Sequence, residues 1–199
     1  MKYFIPLVAL FFISNHAYSQ TDYAKAHSYE NKLNPAIGLK VGELTGIQFQ
    51  LFKGSVCGGH QEVLNKNTSY TLTVGYSRLI GKTRGIAHEG FTYVLNKPDF
   101  RIQLDAGKTI VHAFDTDLYA TLGVSGGMRS YEVGLADTQE FTMGVLPGLG
   151  LEHSLWHSNS RNAPIYLTAF GEFTLYGELA EISFWDVYLS GGLRFNFWK

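Results

Sequence analysis

One cysteine in 199 residues, Cys57, leaves no partner for an internal disulfide, so no covalent framework holds this chain. Cys57 reads as a bystander in a loop. Charge is also scarce: 17% of residues are Asp, Glu, Lys or Arg, against roughly a quarter in ordinary globular proteins. The net charge is -1. No basic field argues for nucleic acid, and no acidic tail argues for a charge-steered partner. Long apolar runs are missing too. After the first 13 residues nothing exceeds a few consecutive apolar side chains, which excludes a membrane helix of the roughly 20 residues such a span needs. There is no phosphate-binding Gly-x-x-x-x-Gly-Lys motif and no paired-Cys zinc pattern, so neither a nucleotide, a metal nor any other cofactor is expected.

What is present begins with an export signal. Met1-Lys2-Tyr3 supplies a cationic start, Phe4 to Ile13 a short apolar core, and Ala17-Tyr18-Ser19 a small-x-small exit. This is the build of a cleaved secretory signal, with cleavage after Ser19 and Gln20 as the new N-terminus. No cysteine stands at that point, which argues against a lipid-anchored lipoprotein. The expected organisation is a signal over 1–19, a short periplasmic segment over 20–34 and one β-domain over 35–199.

Gly is abundant, at 22 residues, and aromatics reach 15%. Few charges with many glycines and aromatics suit strands in a barrel wall, although a soluble β-sandwich shares part of that composition. The alternation of side chains is more specific. Leu118, Ala120, Leu122 and Val124 are apolar while Tyr119, Thr121, Gly123 and Ser125 between them are small, polar or amphipathic. Tyr70 to Ser77 and Arg101 to Ala106 alternate in the same way. The segments 140–153, 164–176 and 185–198 are long enough to cross a bilayer, which takes about 9 to 11 tilted residues. Strands in hydrocarbon must close on themselves, because an open edge leaves backbone groups unpaired where no water can reach them. Tyr70, Tyr131, Trp156, Tyr176, Trp185 and Trp198 fall at segment ends, as an aromatic girdle at the headgroups requires.

Nine alternating segments are visible: 36–42, 46–52, 69–79, 86–96, 99–110, 117–128, 140–153, 164–176 and 185–198. A single-chain barrel has an even number. Ile37, Leu39, Val41, Ile47, Phe49 and Leu51 are all odd-numbered, so the first two segments are read as one strand bent at Gly42 or Gly46. That predicts an antiparallel transmembrane barrel of eight strands. A first hairpin at Glu43-Leu44-Thr45, with ten strands, is the alternative. The eight-strand scheme puts Lys53 to Thr68 and Arg129 to Gln139 outside the cell and makes Ser154 to Ala163 a long periplasmic turn.

Several short phrases carry a family likeness. Ala36-Ile37-Gly38-Leu39-Lys40-Val41-Gly42, Thr45-Gly46-Ile47, His88-Glu89-Gly90-Phe91-Thr92-Tyr93, the run Gly144 to Glu152 and the ending Gly191 to Phe197 resemble the small outer-membrane β-barrel proteins of Bacteroidota-type bacteria. The ending is also similar to conjugative-transposon TraO proteins, which would imply a component of a conjugation apparatus. The resemblance implies the outer membrane as location and its lipid as surroundings. The alternating end at Phe195, Phe197 and Trp198 resembles the signal read by the barrel-assembly machinery, although those signals usually finish on the aromatic and here Lys199 follows.

Lys40, Arg101, Asp105, Glu152, Glu172, Asp186 and Arg194 fall on the polar face and should line the lumen. In so narrow a barrel such charges pair and fill the bore; a proton path or a narrow pore is the other reading. For catalysis the candidate is the segment Glu152 to Ser160, with His153, Ser154, His157 and Ser158, because barrel hydrolases acting on lipid A use His, Ser and an acid near a strand end. The His-x-Ser spacing is absent: Leu155 and Asn159 stand two residues after the histidines. His153 and His157 are four apart, a metal-ligand spacing on a helix that means little on a strand. The expected protein is therefore a non-enzymatic barrel with a structural or interaction role, meeting any envelope partner through its extracellular loops. A lipid A-modifying barrel hydrolase and a soluble periplasmic β-sandwich binder are the other two classes.

Overall fold

A computed structural model describes residues 30–57, 63–77, 84–88, 91–95, 99–113, 115–133, 136–158, 164–179 and 185–198. The predicted signal, 1–19, lies outside them. The described chain is all strand: β1 (Glu30–Gly42), β2 (Leu44–Cys57), β3 (Val63–Ser77), β4 (Arg84–His88), β5 (Phe91–Leu95), β6 (Asp99–Ala113), β7 (Thr116–Val133), β8 (Ala136–His157), β9 (Ile165–Glu178) and β10 (Trp185–Phe197). Cys57 is thus the last residue of a strand, and β1 begins five residues before the expected start of the domain.

Eight of these strands close into a ring in which every pairing is antiparallel. β1 lies between β2 and β10, and the circuit runs on through β3, β6, β7, β8 and β9. Polarity is inverted relative to a soluble barrel. Leu39, Phe49, Leu104, Val124, Leu149 and Leu189 stand exposed on the outside, while Lys40, Gln48, Arg101, Glu152, Arg194 and Asn196 are buried within. The alternation of period two sends successive side chains to opposite faces of the wall, so one choice of register decides both surfaces.

The ring has the eight strands the sequence predicts, but two of the predicted segments pair differently. Residues 36–52 are not one bent strand. β1 and β2 form a hairpin turning at Glu43, with Leu39 opposite Ile47 and Lys40 opposite Gly46. In that register odd residues face odd residues, so a shared odd phase is what a tight hairpin produces as readily as a bend. Gly42 takes a φ of 140°, which L side chains rarely adopt, and Thr45 Oγ1 both accepts from the Gly42 N–H and donates to its carbonyl. Segment 86–96 is not a wall strand either. It splits into the β4–β5 hairpin, which joins the sheet outside the ring through Val94 opposite Glu132 on β7. The two misreadings cancel in the count.

They do not cancel in the loops. With a turn at Glu43, the stretch Lys53 to Thr68 moves to the end of the barrel at which the described chain begins and ends, and most of it is strand. Of the stretch Arg129 to Gln139, the described residues 129–133 and 136–139 are likewise strand, the tip of the β7–β8 hairpin, paired as far as Val133 opposite Ala136. β6 pairs with β7 only as far as Gly127 and β9 with β8 only as far as Gly144, so the β7–β8 tip runs past both neighbours. With β4–β5 it makes a wing at the end opposite the termini.

Inward glycines make room for the large residues facing them. A Cβ on Gly150 would lie 2.4 Å from the Tyr119 ring, and one on Gly127 2.6 Å from the Arg101 stem. Gly150→Val should therefore overpack the lumen at a cost of about 1–3 kcal/mol. Loss of the compact, heat-sensitive gel species at a lower temperature than in the native chain would measure it.

Candidate functional site

The lumen holds a connected set of polar side chains drawn from seven wall strands, five of which contribute a charge. Arg194 on β10 is 1% exposed. Its Nη1 donates to Glu152 Oε2 at 2.8 Å, its Nη2 to Glu172 Oε1 at 3.0 Å and its Nε to Gln48 Oε1 at 3.0 Å. The planar fork of a guanidinium suits two carboxylates held on neighbouring strands, here β8 and β9. Lys40 Nζ reaches the other oxygen of Glu172 at 2.6 Å, and Lys66 Nζ reaches Glu152 Oε1 at 2.6 Å and Gln50 Oε1 at 2.7 Å. Hydroxyls complete the acceptors: Thr168 donates to Glu152 at 2.5 Å and Tyr119 to Glu172 at 2.9 Å. Each carboxylate thus meets two cations and a hydroxyl, which is what a buried charge requires if its desolvation is to be offset.

Two apolar layers bound this set. Toward the termini Ala36, Phe52, Leu64 and Tyr166 cluster, with Trp198 packed on them. Toward the wing Leu146, Tyr176 and Tyr188 do the same, the two phenols stacked at 5.4 Å. The cations lean on aromatic rings. Arg194 lies 3.7 Å from the Phe170 centroid, Lys66 4.9 Å from Phe52 and Arg101 5.1 Å from Tyr176. Beside Lys66, Asp117, Tyr119 and Glu152 remains a cavity of about 10 Å³, room for roughly one water.

The seven lumen residues read from the sequence fall as follows. Lys40, Glu152, Glu172 and Arg194 meet in the network. Asp105 faces inward beside it, both its oxygens accepting from Gln103 Nε2 at 2.9 Å. Arg101 is buried nearer the wing, where Nη2 donates to Thr142 at 3.0 Å. Asp186 stands near the start of β10 and accepts from the Val187 N–H. The structure does not bring these last two into contact with the network. Lys66, Gln48, Gln50, Tyr119 and Asp117 were missed. Lys66 belongs to the stretch Lys53 to Thr68, which the sequence pattern assigns to a loop, and a register shift after Lys53 breaks the alternation that would expose it. His112, paired with Asp117 at the mouth, was missed for a similar reason, a shift between Thr109 and Val111.

Two aromatic assignments need correction. Tyr176 and Trp198 point inward rather than to a headgroup girdle, since each falls on the same face as Arg194 in its strand's alternation. Tyr70 and Trp156 are exposed on the outer wall as expected, and so are Phe195 and Phe197. The side chains of Tyr131 and Trp185 lie outside the described residues.

The described part of the segment Glu152 to Ser160, 152–158, does not bring a nucleophile and base together. Glu152 points into the lumen, His153 outward, where Nδ1 lies 2.9 Å from Thr116 Oγ1. His157 stacks on Tyr166, and Ser158 Oγ accepts from the Ile165 N–H at 2.9 Å. Among the described residues no Ser–His hydrogen bond occurs in this segment, and no group of three His, Cys, Asp or Glu is placed to hold a metal.

Arg194→Met should destabilise the barrel by about 3–5 kcal/mol, because Glu152 and Glu172 each lose a buried partner. Lys40→Met should cost less, since Glu172 keeps Arg194 and Tyr119. Urea unfolding in lipid vesicles, followed by tryptophan fluorescence, gives both values.

No protein-family model matches this chain, and no curated protein matches it. Among solved structures it is similar to the N-terminal β-barrel domain of Pseudomonas aeruginosa OprF, at 14% identity and a TM-score of 0.46, covering 85% of this chain and 99% of that one. It is also similar to Neisserial surface protein A (NspA), at 12% identity and a TM-score of 0.34, covering 83% of this chain and 92% of that one.

Proposed function

We propose that this chain is a non-enzymatic barrel of the bacterial outer membrane, exported through a cleaved signal and inserted by the barrel-assembly machinery. The supporting observation is the inverted polarity of the ring: an apolar outer wall around a lumen filled with paired charges. An apolar exterior of this extent has no place in water but matches hydrocarbon, and closure leaves no wall edge unpaired there.

With its bore occupied by Arg194, Glu152, Glu172 and the aromatic layers on either side, the barrel serves as an anchor rather than a pore. Its working surface is then the wing of β4–β5 and the β7–β8 tip, at the end opposite the termini. Both termini face the periplasm, which sets the wing outside the cell, the side where such barrels carry their longer loops. The role is structural or interactive, through a contact with an envelope partner.

An epitope inserted between Val133 and Ala136 should be labelled on intact cells, whereas one appended after Lys199 should not. Labelling of the C-terminal epitope alone, or recovery of the protein in the soluble periplasmic fraction, would overturn the proposal. The lipid face offers a second check. Val124 is exposed near the middle of β7. Val124→Lys should cost about 2–4 kcal/mol, as a cation does at a bilayer midplane, in the same vesicle unfolding assay.

A further inference from the structure

The outer wall is not evenly covered. Across β2, β3, β6 and β7 it carries a groove of about 690 Å³ with an almost wholly apolar lining. The register explains it. Tyr70 stands opposite Leu51 on one side and Ala106 on the other, and Ala106 stands opposite Leu122. A methyl group between a phenol and two leucines forms a floor, and the longer side chains become banks. The volume lies within the range of about 300–1,000 Å³ typical of sites that bury a small molecule.

One row nearer the termini, the same face changes character. Lys53, Thr68 and Lys108 stand opposite one another across β2, β3 and β6. Lys53 follows Leu51 and Lys108 follows Ala106 in the alternation, so both lysines share the outer face with the groove. Lys53 is exposed and Lys108 half-buried. Their backbones are two strands apart, roughly 10 Å at the usual strand spacing. Among the described residues, no carboxylate lies within ion-pair distance of either ammonium. Tyr70, 57% exposed, puts its phenol on the neighbouring position of the strand between them.

Two cations of one sign above an apolar trough on a membrane wall need an anion at headgroup level. Lysine stems reach that level by lying along the wall. We propose that this groove is a selective seat for an anionic glycerophospholipid: its phosphate sits between Lys53 and Lys108, near the Tyr70 phenol, and one acyl chain lies along the Ala106 floor. The inference rests on the membrane reading above. It goes beyond it by naming one lipid class and one place on the wall, on the half nearer the termini.

The test uses the full chain in detergent, titrated in native mass spectrometry with phosphatidylglycerol or phosphatidylcholine of identical acyl chains. The native protein should retain phosphatidylglycerol about thirtyfold more strongly, as two lysines at roughly 1 kcal/mol each imply. Lys53→Gln with Lys108→Gln should erase the preference and leave phosphatidylcholine retention unchanged. Ala106→Trp should fill the floor and weaken retention of both lipids about tenfold, on the order of one filled contact in a trough this size. A heat shift on detergent gels reports barrel formation for every variant. A native chain without that shift defeats the membrane reading itself. A shifted barrel that retains both lipids equally, or that loses a bound second copy or lipopolysaccharide on Ala106→Trp in place of phospholipid, defeats only the lipid seat.

Discussion

Arg194 is the residue on which the interior depends. A strand that delivers a guanidinium into a closed bore must find acceptors across the bore, because no water of bulk character is there to solvate it. Arg194 finds three, Glu152 on β8, Glu172 on β9 and Gln48 on β2. The carboxylates recruit Lys66 from β3 and Lys40 from β1. One side chain on the last strand thereby ties together strands from both ends of the sequence. Closure by β1 against β10 and filling of the lumen are two aspects of the same arrangement.

The glycines belong to this account as much as the charges do. Gly38 faces the Arg194 stem across the β1–β10 pairing, and a Cβ there would lie 2.8 Å from Arg194 Cγ. Large and small inward residues alternate between neighbouring strands, so a narrow bore accepts a guanidinium, a phenol and two carboxylates at one level. Aromatic layers above and below then shield the charges from solvent, which strengthens every pair between them. A lumen built this way has little space left for a substrate. The proposed function accordingly uses the outer wall and the wing.

Much of the site is legible in the sequence. Lys40, Glu152, Glu172 and Arg194 each interrupt the pattern at an inward position, and nothing but strand periodicity is needed to see it. Where the pattern slips, reading fails. Lys66 lies beyond the register shift after Lys53, and His112 beyond the shift between Thr109 and Val111. A bulge changes which parity faces inward, and no local feature of the residues announces it. Tyr176 and Trp198 were misplaced for a different reason. Aromatics at strand ends suit both a headgroup girdle and a plug, and only their parity, matched to Arg194 and its neighbours, separates the two.

By itself the sequence determined that the chain forms strands with one greasy and one polar face, and which side chains share each face. That information is local, since successive residues of a strand point to opposite sides whatever the partner. Only the tertiary structure decided that Ile37 to Leu51 is a hairpin and that segment 86–96 stands outside the ring. Those are questions of pairing. In the Leu39–Ile47 register odd residues face odd residues, so a hairpin and a bent strand leave the same imprint on the sequence. The hydrogen bonds of β1 to β2, and of β5 to β7, distinguish what periodicity cannot.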